Sequence, residues 1–389
     1  MRIGIDCRTM LNPASGERAG VGHYTTQLVK ALLAYNPAAK DEFVLFVDHQ
    51  MPEEVTQEYT ARPNVQVVRL PLSKYKRYLP FAYSHYFVAK VLERQRLDIF
   101  HSPAYGIPLG YSRPSVVTIH DLAIYRHPEW FREESGFSQK VLVPQSVRKA
   151  AKVIAVSRAT EKMITQLFRV PDSRMALIYE GVTREPRLPA ARCAEIRAQF
   201  GVNEQFLFFI GTLEPRKNLE RLVKAFDQFM NEHHRRFRDV QLVIAGARGW
   251  KYEQVFQTIS RARWSGNVRV IGYVTHEEKM ALMQSCTAFV FPSLWEGFGL
   301  PVLEAASMGI PVLTSKISSL PEVGGPGALY VNPRNILSIQ QGIATLMRSP
   351  VKRAQLGAAG RTHARKFSWK HCARETYDCY LDVIEDSAV

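Results

Sequence analysis

Residues 291–311 read FPSLWEGFGLPVLEAASMGIP. An apolar run ends at Pro292, Gly297 and Gly299 shape a turn, and Pro301 sits where proline is favoured, in the first turn of a helix predicted over 300–308 and stopped by Gly309. A buried strand followed by a glycine turn and a helix that starts at the strand's carboxyl edge is the building block of a doubly wound parallel sheet.

Working outward, the same alternation runs through the chain. Strands are expected at 2–6, 43–47, 65–69, 99–101, 116–120 and 153–156, and again at 206–211, 240–246, 268–272, 288–292, 311–314 and 328–331. Between the two series lies REPRLPAARC (184–193), so a boundary is expected near 183–200. A chain of 389 residues exceeds one hydrophobic core, and two Rossmann-like α/β domains follow. They are assigned to 1–190 and 200–366, with a C-terminal helical segment, 367–389, packing back on the first.

Lys and Arg number 51 against 36 Asp and Glu, a net charge of +15 shared by both halves. Such a balance attracts anions: nucleic acid, a membrane surface or phosphorylated small molecules. Nucleic acid is disfavoured, since no basic arm, zinc motif or aromatic RNP signature occurs. The five cysteines are scattered without a Cys-x-x-Cys pair, so neither a disulfide framework nor a zinc site is suggested. No apolar run reaches membrane-spanning length and no secretory h-region opens the chain, so a cytoplasmic protein is expected. Between Arg69 and Arg96, basic residues interleave with Tyr75, Tyr78, Phe81, Tyr83, Tyr86 and Phe87. That pattern suits either peripheral contact with an anionic membrane at its inner face or an ordinary helix with aromatics in the core.

Ligands of doubly wound sheets bind beyond the carboxyl ends of the strands, so loops that follow strands hold the candidate site. Backbone N–H groups of Phe298, Gly299 and Leu300 at a helix start suit a phosphate. Glu296 in the loop and Glu304 one turn inside the helix can accept hydrogen bonds from sugar and ribose hydroxyls. Arg216 and Lys217, in GTLEPRKN (211–218) after the strand FLFFIG, can neutralise a diphosphate, Arg as a fork and Lys as a point charge. Taken singly, the two glutamates read better as solvated loop and helix residues, and the basic pair reads equally well as a solvated turn; their context at one sheet edge favours a site.

In the first half, Gly20-Val21-Gly22 precedes a helix predicted over 23–33, which would let the backbone approach a phosphate or sugar. The full Gly-x-Gly-x-x-Gly is absent, since Thr25 takes the sixth place, and an NAD-dependent dehydrogenase is thereby disfavoured. His120 closes the strand VVTIH and His101 closes IFH. A strand-end histidine is more often a satisfied core group, but His120 stands where it could donate a hydrogen bond to a sugar hydroxyl.

Together, GVGHY, HSP, TIHDLAIYRHPEWF, VSRAT, GTLEPRKNL, IGYVTHEEK, EGFGLPVLE and SSLPEVGG resemble the group-1 glycosyltransferases, family four in the sequence classification, along nearly the whole chain. The resemblance implies the GT-B fold, two Rossmann-like domains facing across a cleft, and retaining sugar transfer from a nucleotide sugar without a metal or other cofactor. By position it implies Arg216 and Lys217 on the donor diphosphate and Glu304 on the ribose. Glu296, with the backbone of Phe298 and Gly299, reaches the donor sugar. Gly22 approaches the phosphate from the first domain, His120 lies near the transferred sugar, and Tyr273 and Val274 read the base. The chain departs from some relatives in having Thr212 where they carry Arg.

The resemblance further implies a same-face displacement in which the leaving phosphate helps deprotonate the acceptor, since no carboxylate pair stands out for a glycosidase-like mechanism. The opening GVGHY with HDLAIYRHPEWF is most like bacterial mannosyl- and rhamnosyltransferases of surface polysaccharide and lipopolysaccharide synthesis. A GDP-sugar, GDP-mannose above all, is the expected donor, and a glycan or lipid-linked saccharide the acceptor. A UDP-sugar-dependent transferase and a GT-B nucleotide-sugar epimerase stay open, because main-chain groups suit either base and a fold does not fix a reaction.

Overall fold

The computed structural model describes the chain apart from residues 11–19, 37–39, 71–82, 132 and 389. Internal contacts divide it into two units. One comprises Met1–Tyr125, Glu133–Gly181 and Phe367–Val389, and the other Arg126–Arg132 and Val182–Lys366.

The first unit holds a seven-stranded sheet in the order β3-β2-β1-β4-β5-β6-β7, parallel throughout. Its strands are β1 (Arg2–Asp6), β2 (Glu42–Asp48), β3 (Val65–Leu70), β4 (Ile99–Ser102), β5 (Ser115–Ile119), β6 (Lys152–Ala155) and β7 (Met175–Leu177). Six match the apolar runs of the sequence. The seventh was unread, because its three residues are half-buried and carry no period. The second unit holds a parallel six-stranded sheet ordered β10-β9-β8-β11-β12-β13. Here the strands are β8 (Phe206–Ile210), β9 (Gln241–Ala245), β10 (Val268–Gly272), β11 (Ala288–Phe291), β12 (Val312–Ser315) and β13 (Ala328–Val331). Phe206–Phe209 and Ala288–Phe291 are fully buried, as strands covered on both faces must be.

In each sheet the chain winds outward from a central strand, then returns to that strand's other side: β4 beside β1, and β11 beside β8. At such a reversal the following loops part to opposite faces and leave a crevice at the carboxyl ends. In the second unit the loops that part are those carrying Arg216, Lys217 and Glu296.

Two expectations shift. The chain passes between units at Gly181 and Val182, whereas the Pro- and Arg-rich stretch opens a helix, Ala190–Gln199. The helix after β1 begins at Gly20 and runs to Tyr35, so Gly20 and Gly22 lie in its first turn instead of ahead of it. The C-terminal helix Trp369–Ala388 lies against it, the Tyr35 and Tyr377 rings meeting edge-on at 5.7 Å, and is tied to β6 by Lys152 pairing with Asp382 at 3.2 Å.

Candidate functional site

In the second unit, the loop after β8 closes as a turn, Pro215–Lys217, and Asn218 takes a left-handed backbone (φ 62°) before the helix Leu219–Phe237. Asn218 Nδ2 donates to the carbonyls of Pro292 (2.9 Å) and Pro333 (2.7 Å), and the Leu294 amide donates to the Arg216 carbonyl at 2.8 Å. The β8 loop is thereby stitched to the end of β11. Across this seam Lys217 Nζ donates to Glu296 Oε1 at 2.7 Å and Arg216 to Glu296 Oε2 at 2.8 Å. Arg216 also grips Glu214 at 2.7 Å and the Trp295 carbonyl at 3.1 Å.

Lys217 and Glu296 are only 9% and 7% exposed, so their charges sit largely out of water. Burial pushes the Glu296 carboxyl up, but the Arg216 and Lys217 cations outweigh it and hold the group below the usual carboxylate range. Burial, reinforced by the Arg216 guanidinium, pulls the Lys217 ammonium below its ordinary value despite the glutamates beside it. Two cations converge on one carboxylate at the crevice, where an incoming anion can compete for them.

The helix Leu300–Ser307 follows with Gly299 as its N-cap at φ 106°, a conformation that side chains disfavour. The single Ser319 Oγ–H is shared between the carbonyls of Glu296 (2.9 Å) and Phe298 (2.7 Å), and Ser318 Oγ accepts from the Glu296 amide at 3.1 Å. These serines fix the glycine turn. Glu304 lies one turn into the helix, where Lys279 Nζ donates to its Oε1 at 2.7 Å. Tyr273, at the end of β10, is about half exposed, and Val274 is buried.

The remaining expected residues, Gly22 and His120, belong to the first unit. Gly22 is buried in its helix, and Tyr24, two residues on, meets the His120 ring edge-on at 4.6 Å. His120 does not present a free ring: Nε2 faces the Pro103 carbonyl at 2.7 Å and Nδ1 faces Glu180 Oε1 at 3.2 Å. His101 is a core group. It is held by Tyr380 (2.7 Å) and Thr118 (2.9 Å), and burial drives its imidazole down to about 3, so it stays neutral. Sequence reasoning missed Glu180, Lys279, Asn218, Ser318 and Ser319. Asn218 and Ser319, each directly before a helix, carried a local signal.

Among the described residues, no group of three His, Cys, Asp or Glu could hold a metal ion, and no helix is long and apolar enough to cross a membrane. Of the basic aromatic segment, residues 71–82 lie outside the described residues. Tyr86 (55%) and Phe87 (48%) are exposed instead of packed in the core, with Lys90 Nζ 4.5 Å from the Tyr86 ring centre.

Two family models match the chain: Glycosyl transferases group 1 over residues 194–363 and Glycosyltransferase Family 4 over residues 18–185. The chain is 29% identical over 370 residues to the O-antigen chain mannosyltransferase B of Escherichia coli, covering 93% of this chain and 95% of that protein. It is 26% identical over 300 residues to the serotype-specific mannosyltransferase WbdA of Escherichia coli, which covers 74% of this chain but 36% of that longer protein. Among solved structures, Alr3699/HepE of Anabaena, in complex with UDP and glucose, aligns over 98% of this chain and 100% of its own. The TM-score is 0.74 at 19% identity, a likeness of fold.

Proposed function

Because the chain belongs to the group 1 glycosyltransferases and has the GT-B fold, we propose that it moves mannose from GDP-mannose to a glycan or lipid-linked acceptor in surface polysaccharide synthesis, retaining the anomeric configuration. The observation that carries the site reading is the Arg216–Lys217–Glu296 cluster at the sheet's reversal point. Mannose rests on the mannosyltransferases to which the chain is similar.

Breaking the glycosidic bond to the nucleotide leaves a diphosphate whose charge grows as the anomeric carbon becomes oxocarbenium-like. Arg216 and Lys217 neutralise that charge, and the helix start at Gly299 and Leu300 adds its dipole. Phosphate bound there takes the cations from Glu296 and releases its carboxylate, with the Phe298 and Gly299 backbone, toward the donor sugar. Glu304, braced by Lys279, accepts from the ribose hydroxyls, and Tyr273 and Val274 border the base. In the first unit, His120 is assigned to a sugar hydroxyl and Gly22 to a phosphate. The leaving phosphate takes the acceptor proton on the face it departs from.

Incubation with GDP-mannose and a lipid-linked or glycan acceptor, with the product linkage read by NMR, should show transfer with the donor's anomeric configuration. Turnover of UDP-sugars alone would overturn the donor. Conversion of donor to an epimer without acceptor would overturn the reaction class. Main-chain groups at Tyr273 and Val274 accommodate guanine or uracil, so a UDP-sugar is the second reading.

A further inference from the structure

Glu180 follows β7 and is 3% exposed. Its Oε1 meets His120 Nδ1 at 3.2 Å, whereas Oε2 is buried with no hydrogen-bond partner among the described residues. A carboxylate so enclosed is costly unless a cation answers it. The partner's other nitrogen narrows the choice. Nε2 lies 2.7 Å from the Pro103 carbonyl, which can only accept, so Nε2 carries a hydrogen. A hydrogen must also lie between Nδ1 and Oε1, and imidazole is intrinsically the stronger base of the two. A ring with N–H at both nitrogens fits both contacts and answers the Glu180 charge.

The surroundings hold this arrangement. Gly181, next to Glu180, passes so close to the C-terminal helix that a Cβ there would stand 2.1 Å from the Trp369 amide nitrogen. Trp369 lies 5.9 Å from the Tyr24 ring, and Tyr24 and Tyr105 flank His120 edge-on at 4.6 and 5.6 Å. His101 is held uncharged by burial, and burial pushes the Tyr24 hydroxyl and the Cys372 thiol, which both feel Glu180, upward.

We propose that Glu180 is a positioning residue for His120: through Nδ1 it orients the imidazole and keeps it doubly protonated, so that the ring meets a ligand oxygen only as a donor. A sugar hydroxyl then shares Nε2–H with the Pro103 carbonyl or takes it over. The assignment of His120 to sugar rests on the function proposed above; the proton count does not.

The test is 15N NMR of the histidine rings in the full chain near neutral pH, with His120 assigned by its loss in His120→Ala. Protonated signatures are expected at both His120 nitrogens. In Glu180→Gln the amide donates to Nδ1 instead, which should become a bare acceptor, while Nε2 is unchanged. A bare Nδ1 in the unsubstituted protein overturns the proposal whether or not the variant folds, as does a spectrum that Glu180→Gln leaves unaltered. In a transfer assay, Glu180→Gln should lower kcat by about tenfold to a hundredfold with little change in donor KM, as misorientation of a reacting group does. Absence of transfer by the unsubstituted protein, alongside the expected spectrum, would count against the proposed function and leave the Glu180–His120 pair standing.

Discussion

Replacing Glu296 by Gln should destabilise the second unit and yet strengthen its response to a nucleoside diphosphate. At 2.7 Å from Lys217, and with an effective dielectric constant of about 20, the pair attracts by about 6 kcal/mol before desolvation is subtracted. Removing one partner of a buried pair costs about 3–5 kcal/mol when the other charge is stranded. Here Arg216 keeps Glu214 at 2.7 Å, so Lys217 alone is stranded. Its ammonium is already below its ordinary value, which lets it shed a proton and holds the loss toward the lower end of that range, about 3 kcal/mol. For a unit of this size that corresponds to a melting temperature lower by roughly 6–12 °C.

Calorimetry with and without GDP separates this reasoning from ordinary destabilisation. In the unsubstituted protein the phosphates must take the cations from Glu296; in Glu296→Gln they meet cations with less to leave. The variant should therefore regain much of its deficit in GDP and show the larger ligand-induced shift, although it has lost transfer. The sign with pH follows from the depressed Glu296 carboxyl. Its stabilisation is fully present above the ordinary carboxylate range and is lost as pH falls through its folded value, so the two proteins should converge in acid. Melting within about 1 °C of the unsubstituted protein at neutral pH, or equal GDP shifts, would refute the competition of Glu296 with phosphate.

Three further outcomes follow from the same geometry. Lys217→Ala and Glu304→Ala should each lower kcat/KM by about 30- to 1,000-fold, equivalent to about 2–4 kcal/mol of transition-state stabilisation. Near-normal kinetics in folded variants would remove these residues from the site. Transfer should persist in EDTA, because Arg216, Lys217 and the helix start supply the countercharge; loss restored by Mn²⁺ would show that a metal supplies it. The exposed Tyr86 and Phe87 beside Lys90 should bind anionic vesicles at low salt, and Tyr86→Ser with Phe87→Ser should weaken that binding. Equal partition of both proteins onto neutral and anionic vesicles would argue against it.

What the sequence made legible, and what it hid, divides along physical lines. β8 and β11 are covered on both faces, so FLFFI and AFVF stand out as apolar runs, and the glycine turn and proline that follow β11 are dictated by local backbone geometry. Arg216, Lys217 and Glu296 were legible as residues after strands. That Glu296 is their mutual partner was not, because the contact spans about eighty residues and exists only where β11 returns to lie beside β8. Lys279 sits near the start of an ordinary capped helix, His276–Ser285, and nothing local says that it meets Glu304. Glu180 was hidden for a further reason. Its approach to His120 depends on β7 lying two strands from β5, and β7 is too short and too exposed to announce itself. With that edge strand unread, nothing in the sequence set Glu180 apart. A carboxylate's role is set by what the sheet order brings opposite it, so an unrecognised strand conceals the chemistry of the residues that follow it.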